Sequence, residues 1–151
     1  MATYSETNSA TGPSFSPPAK MVGVASNIVT IGTADLVQDA TFTIGYLPPN
    51  SRVIDGFIVG TDMDSAASPA LVLAVGDAAD PDRFLNGGTV GQTASRVSFG
   101  NNATSSKTMA EHTGYTARTA VIATVITAPG TAVAGTLIGN VLYETLEPPT
   151  A

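Results

Sequence analysis

Residues 40–47, Ala40-Thr41-Phe42-Thr43-Ile44-Gly45-Tyr46-Leu47, alternate in hydrophobicity. Phe42, Ile44 and Tyr46 fall on one side, and Thr41, Thr43 and Gly45 on the other. That is the period-2 pattern of a half-buried strand. Pro48-Pro49-Asn50-Ser51 follows as a strong turn. Upstream, Val22–Ile31 is apolar and β-branched and stops at Gly32. Downstream, Arg52–Thr61 is apolar on both faces around Phe57–Val59, and Ala70–Val75 places Leu71, Leu73 and Val75 on one face. Asp64–Pro69 reads as a loop between them.

Residues 76–94 break the pattern. Asp80–Leu85 suits one helical turn, with Asp80 as N-cap, Pro81 in the first position and Asn86-Gly87-Gly88 as the stop. Arg96–Phe99 is a short strand and Asn101–Gly114 a polar loop. Two long β-branched runs close the domain, Tyr115–Ala128 and Val133–Leu146, with Pro129-Gly130 between them. They are expected to pair as an antiparallel hairpin. Both are apolar on both faces, so one face packs the core and the other packs on a second sheet or another subunit. Ile122, Ile126, Ile138 and Leu142 are the residues expected to point outward to subunit contacts. The fold class is therefore all-β, a jelly roll or β-sandwich of about seven to eight antiparallel strands.

The domain is expected to span residues 21–147, with a tail at 148–151. Residues 1–20 are rich in Ser, Thr and Pro and carry no periodicity. They read as an extended arm, or equally as a disordered tail. Fully extended, the arm could reach roughly 65 Å, enough to cross a neighbouring subunit.

Composition narrows the function. The 151 residues suit one domain. The absence of Cys removes disulfide, thiol and thiolate-metal chemistry. Only 12% of residues are charged, against about 25% in ordinary domains. A surface so poor in charge suits coverage by a partner, the alternative being a weakly charged monomer. The net charge is −6, and the six basic residues, Lys20, Arg52, Arg83, Arg96, Lys107 and Arg118, never cluster. Nucleic acid and anionic membranes are disfavoured as partners, since both need a basic patch. No stretch is apolar enough for a membrane span, and Met1–Ala10 is too polar for a secretory signal.

Nor does any constellation read as an active site. His112 is the only histidine and lies in a polar stretch beside Glu111. No G-x-S-x-G, H-E-x-x-H or G-x-x-x-x-G-K occurs. Gly87-Gly88-Thr89-Val90-Gly91 lacks the strand-then-helix setting of a nucleotide loop. Asn102-Ala103-Thr104 matches a glycosylation triplet, read as coincidence without a signal peptide. The chain is thus expected not to be an enzyme, with no catalytic residue and no cofactor. Five acidic residues, Asp62, Asp64, Asp77, Asp80 and Asp82, crowd one segment. Asp62-Met63-Asp64-Ser65 opens like a calcium loop, which makes Asp62 and Asp64 the only metal candidates. Ala67 stands where glycine is needed and Leu73 where the bidentate glutamate belongs. Turn-forming and capping aspartates are the preferred reading.

Several stretches resemble small virion proteins of tailed bacteriophages. They are Leu47–Gly56, Thr61–Ser65, Ala70–Asp77, Asp80–Gln92 and the glycine-punctuated Val125–Tyr143. Together they span about residues 22–146. The resemblance implies a capsid decoration (cement) protein with a jelly-roll-like body. It also implies binding to the major capsid protein, a homo-oligomer, often a trimer, and synthesis in the host cytoplasm before residence on the capsid surface. The alternatives are a head–tail, tail or fibre β-sandwich component, or a carbohydrate- or calcium-binding module. The lack of Trp and the 6% aromatic content count against a glycan platform.

Overall fold

The opening stretch forms a strand, Thr41–Leu47, but its alternation is interrupted. The computed structural model, which describes residues 22–146, shows that Ile44 is an extra residue in the ladder. Thr43 pairs with Ile122 and Gly45 with Val121, so no partner opposes Ile44. This bulge reverses the faces beyond it. Phe42 and Ile44 point inward as expected, Leu47 joins them in the core, and Tyr46 turns outward at 48% exposure. The turn that follows is completed by Asn50 in the left-handed region, φ 54°, a conformation its short amide tolerates.

Eight strands are present among the described residues: β1 (Val22–Ile31), β2 (Thr41–Leu47), β3 (Ser51–Gly60), β4 (Val72–Gly76), β5 (Leu85–Gly88), β6 (Ser95–Ser98), β7 (Thr119–Thr127) and β8 (Gly135–Thr145). One helix, α1 (Ala103–Glu111), lies between β6 and β7. The strands form two four-stranded antiparallel sheets, ordered β1-β8-β3-β6 and β2-β7-β4-β5. Two facing sheets in this order make a jelly roll, as the strand count and turn spacing predict. The expected arm, residues 1–20, and tail, residues 148–151, lie outside the described residues.

The topology overturns the expected terminal hairpin. β7 pairs with β2 and β4, while β8 pairs with β1 and β3 in the opposite sheet. The connection between them does not close a turn. Instead it runs beside the segment after β3: Ser65 N–H donates to Thr131 O at 3.0 Å and Val133 N–H to Met63 O at 3.1 Å. Each long strand is an inner strand of its own sheet, with one face in the core and the other on an outer surface.

Two further expectations are corrected. Asp80–Leu85 is not a helical turn. The carbonyl of Asp80 accepts from Asp77 N–H and Arg83 N–H, and Leu85–Gly88 then enters the sheet as β5 against β4. Ladder pairing with Leu73 and Val75 outweighs the local cap signal. The stretch expected as a polar loop contains α1. Asn102 caps it, accepting from Ser105 N–H at 3.0 Å, and Lys107 pairs with Glu111 at 3.8 Å. Asn102 of the glycosylation triplet is therefore a helix cap, the kind of site where a short polar side chain stabilises by about 1 kcal/mol.

The core lies between the sheets. Ile31, Ile44, Leu47, Ile58, Leu73, Val75, Val121, Val125, Leu137 and Val141 are buried there. Each such side chain removed from water contributes about 1.5–3 kcal/mol. Phe84 and Phe99 stack at 5.8 Å near the α1 end. Gly139 lets the sheets approach: a Cβ there would collide with the Ile44 side chain and carbonyl.

Candidate functional site

The jelly roll leaves two outer faces, and they differ in chemistry. On the β1-β8-β3-β6 sheet, Ile28 pairs with Ile138, Ile138 with Val59, and Val59 with Arg96. This is a single rung of three aliphatic side chains ending in one arginine, all on the side away from the core. The Arg96 guanidinium lies 4.0 Å from the ring centroid of Phe57 on the neighbouring rung. A further rung places Val24 beside Leu142. Val22, Val24 and Ile28 are 65%, 58% and 65% exposed. A groove of about 470 Å³ opens on this face between β3, β6 and β8, with Val59, Arg96, Thr136 and Ile138 in its lining.

The outer rungs of the β2-β7-β4-β5 sheet are smaller and more polar: Thr41–Thr124–Ala74 and Thr43–Ile122–Gly76. The Asp80–Pro81 backbone crosses directly over Gly76, so part of this face is covered by the chain itself. The four residues expected at subunit contacts all lie off the core, but on opposite faces. Ile138 and Leu142 belong to the first sheet, and Ile122 and Ile126 to the second. Of the four, Ile126 is the most open, at 42% exposure.

The acidic segment divides into two buried clusters with different jobs. Asp64 is 1% exposed. Its Oδ1 accepts from the amides of Ala66 and Thr131, and its Oδ2 from those of Ala70, Leu71 and Gly130. Burial alone would raise its pKa. The backbone amides of Thr131, Ala70, Gly130 and Leu71 outweigh that and hold it far below the usual carboxylate range. Five amide donors engage both oxygens, as in the preferred reading of a turn-forming aspartate, and a cation at Asp64 would have to displace them. Asp62, the other candidate, is exposed and accepts from Asp64 N–H at 3.1 Å. Among the described residues no three His, Cys, Asp or Glu side chains converge as a metal-ligand set. Asp64 thus ties the loop after β3 to the β7–β8 crossover.

The second cluster centres on Asp77, at the end of β4. Its Oδ1 accepts from Ala79 and Asp80 amides, and its Oδ2 from Arg83 Nε at 2.7 Å and the Tyr115 hydroxyl at 2.5 Å. Burial opposes ionisation, but Arg83 and Tyr115 together bring the Asp77 pKa below its ordinary value. Burial and the Asp77 charge push the Tyr115 phenol well above its usual range. His112, just after α1, packs against Tyr115 with ring centroids 4.3 Å apart and the rings tilted by 45°. The histidine is therefore half-buried, although it lies in a polar stretch of the sequence. Its Nδ1 is buried with no hydrogen-bond partner. Burial first, and then the Arg83 charge, lower its pKa. Nearby, Asp82 is raised by hydrogen bonding with Asp80 and by burial. Asp77 is saturated by donors and Tyr115 is held neutral, so this cluster ties α1 and the 77–84 loop to the body. Periodicity could not find it, because its members are far apart in sequence and mostly in loops.

The fold is a two-sheet jelly roll whose outer faces differ, one of them carrying the aliphatic rung. No protein-family profile matches the chain, and no curated protein sequence matches it. Solved structures do. The chain is similar to one in the capsid asymmetric unit of cyanophage Pam1, at 26% identity and TM-score 0.66, over 87% of this chain and 89% of that one. It shares its fold with a chain of the Ralstonia phage GP4 capsid, at 19% identity and TM-score 0.71, over 89% and 90%. It also shares it with a chain of the acid-stable capsid of Helicobacter pylori bacteriophage KHP30, at 14% identity and TM-score 0.54, over 83% and 90%. The chain is thus related in structure to phage capsid proteins.

Proposed function

We propose that this chain is a virion structural protein of a bacteriophage, and specifically a decoration (cement) protein that binds the major capsid protein and stabilises the head. The observation that carries this reading is the likeness to the cyanophage capsid chain, which runs through nearly all of both chains. The aliphatic rung on the first sheet supports it, because exposed rows of this kind are stable when covered. In this reading the protein is not an enzyme, works as a homo-oligomer, with a trimer the expected state, and resides on the capsid surface after synthesis in the host cytoplasm. Binding only to the assembled shell would stabilise that state by linkage. Residues 1–20 would add contacts across a neighbouring subunit, many of them weak, because ordering an arm costs conformational entropy.

The test is biochemical. Purified particles are analysed for the chain, and particles made without it are heated or osmotically shocked with and without added protein. The expected result is that the chain is present and that its return restores particle resistance. Purified particles that lack the chain would end this reading. Deleting residues 1–20 is expected to weaken attachment while the body stays folded. Attachment unchanged by the deletion would remove the arm from the mechanism.

A further inference from the structure

The proposed capsid role does not say which outer face meets the shell, and the geometry distinguishes them. We infer that the outer face of the β1-β8-β3-β6 sheet docks on the shell, with the groove beside Arg96 taking a segment of shell protein that presents an apolar side chain next to a carboxylate. This inference rests on the capsid reading and adds the face, the groove and the chemistry of its occupant.

Three observations converge on that occupant. The rung Ile28–Ile138–Val59 offers a continuous aliphatic floor across three strands. Water leaves such a floor readily, so an apolar side chain is the natural cover. The rung then ends at Arg96, which lines the groove. Among the described residues, Arg52, Arg83 and Lys107 each have a carboxylate partner, whereas Arg96 and Arg118 have none within ion-pair distance, and of these two only Arg96 lines a groove beside an aliphatic rung. Its guanidinium rests on the Phe57 ring, which orients the planar fork while leaving its N–H groups available. A positive group without a counter-ion at the rim of an apolar groove calls for a negative one, and arginine suits a carboxylate because its donors match both oxygens. A polyanion is a poor alternative, since the chain carries net charge −6 and nucleic acid binding draws on many cations, not one.

The other face lacks this combination. Arg118 also lies over an aromatic ring, 3.7 Å from the centroid of Tyr46. Its neighbours on that sheet are the threonine-rich rungs, and the chain itself covers part of the surface. Arg118 and Ile126 therefore serve as matched controls.

Heads assembled without this protein are titrated with the full chain, and bound protein is measured by co-sedimentation. R96E and I138D probe the proposed face; R118E and I126D probe the opposite one. R96A, a milder change at an exposed position, guards against misfolding, and circular dichroism checks each variant. Reversing a charge or inserting one at a desolvated contact is expected to weaken binding about thirtyfold or more. R96A should also weaken it, and the controls should change it less than about twofold. Wild-type protein that fails to bind heads would overturn the capsid reading and this inference together. Wild-type binding with R96E and I138D unaffected would overturn this inference alone. Weakening confined to R118E and I126D would assign docking to the other sheet. If R96E and I138D instead dissociate a free homo-oligomer, by sedimentation velocity, while head binding per chain is unchanged, the occupant is a second copy and the shell segment is refuted.

Discussion

The hydroxyl of Tyr115 donates a 2.5 Å hydrogen bond to the carboxylate of Asp77, joining the approach to β7 to the end of β4. The same carboxylate oxygen is held by Arg83. Removing the phenolic oxygen in Tyr115→Phe loses one charged hydrogen bond while Arg83 still neutralises Asp77. The expected loss is about 1.5–3 kcal/mol in urea unfolding. The phenol pKa is raised in the folded state, so its contribution is complete below the ordinary value of 10.0 and disappears as pH rises through the folded value. Phenolate absorbance from Tyr115 should therefore appear only when the protein unfolds in alkali. An ordinary phenol titration with the fold intact would contradict this.

Asp64 has five amide donors. Asp64→Ala should destabilise more than Tyr115→Phe, because it removes the acceptor of five buried or part-buried N–H groups at once. Asp64 is depressed when folded, so its stabilisation is present above the ordinary pKa of 3.8 and is lost as pH falls from there through the folded value. Asp64→Asn should accordingly show a flatter stability profile below pH 3.8 than the wild type. Calcium should leave the wild-type midpoint unchanged. A rise in midpoint that is specific to calcium would reopen the metal reading.

His112 behaves in the same direction at higher pH. Its pKa is lowered by burial and by Arg83, so the unfolded chain takes up a proton before the folded one does. Stability should fall as pH drops below 6.5 towards the folded value. His112→Gln should remove that slope. An unchanged slope in the variant would mean that other groups set it.

Gly139 faces Ile44 across the sandwich. Gly139→Ala forces the sheets apart and should cost about 1–3 kcal/mol or more. At Gly87, φ is +73° and nothing lies within 4 Å of a Cβ. Gly87→Ala there should cost only backbone strain, about 1–2 kcal/mol. Equal losses at both sites would mean that the core relaxes around the added methyl.

The strands were largely legible in the sequence because alternation and turn residues are local signals. Val22–Ile31 is β1 residue for residue, and Pro48-Pro49-Asn50 separates β2 from β3, with Ser51 of the same turn signal opening β3. The short strand Leu85–Gly88 escaped notice because two of its four residues are glycine and its pairing with β4 is what makes it a strand. The helix α1 escaped for a related reason. Its stretch is polar, and only the Asn102–Ser105 cap marks its start. The acidic run was visible, but its purpose was not. Asp64 is satisfied by Gly130 and Thr131, more than sixty residues away in the chain.

By itself, the sequence determined that the protein is a β-sandwich built from alternating strands and turn residues, and that it is poor in charge. Those properties follow from side-chain pattern and composition, which need no partner to be read. Tertiary structure decided which strand neighbours which. Long-range ladders separated β7 from β8, although the two are adjacent in the chain, and the extra residue Ile44 turned Tyr46 outward. It also decided that Ile28, Ile138, Val59 and Arg96 stand in one row, since a row across four strands exists only once their registers are set.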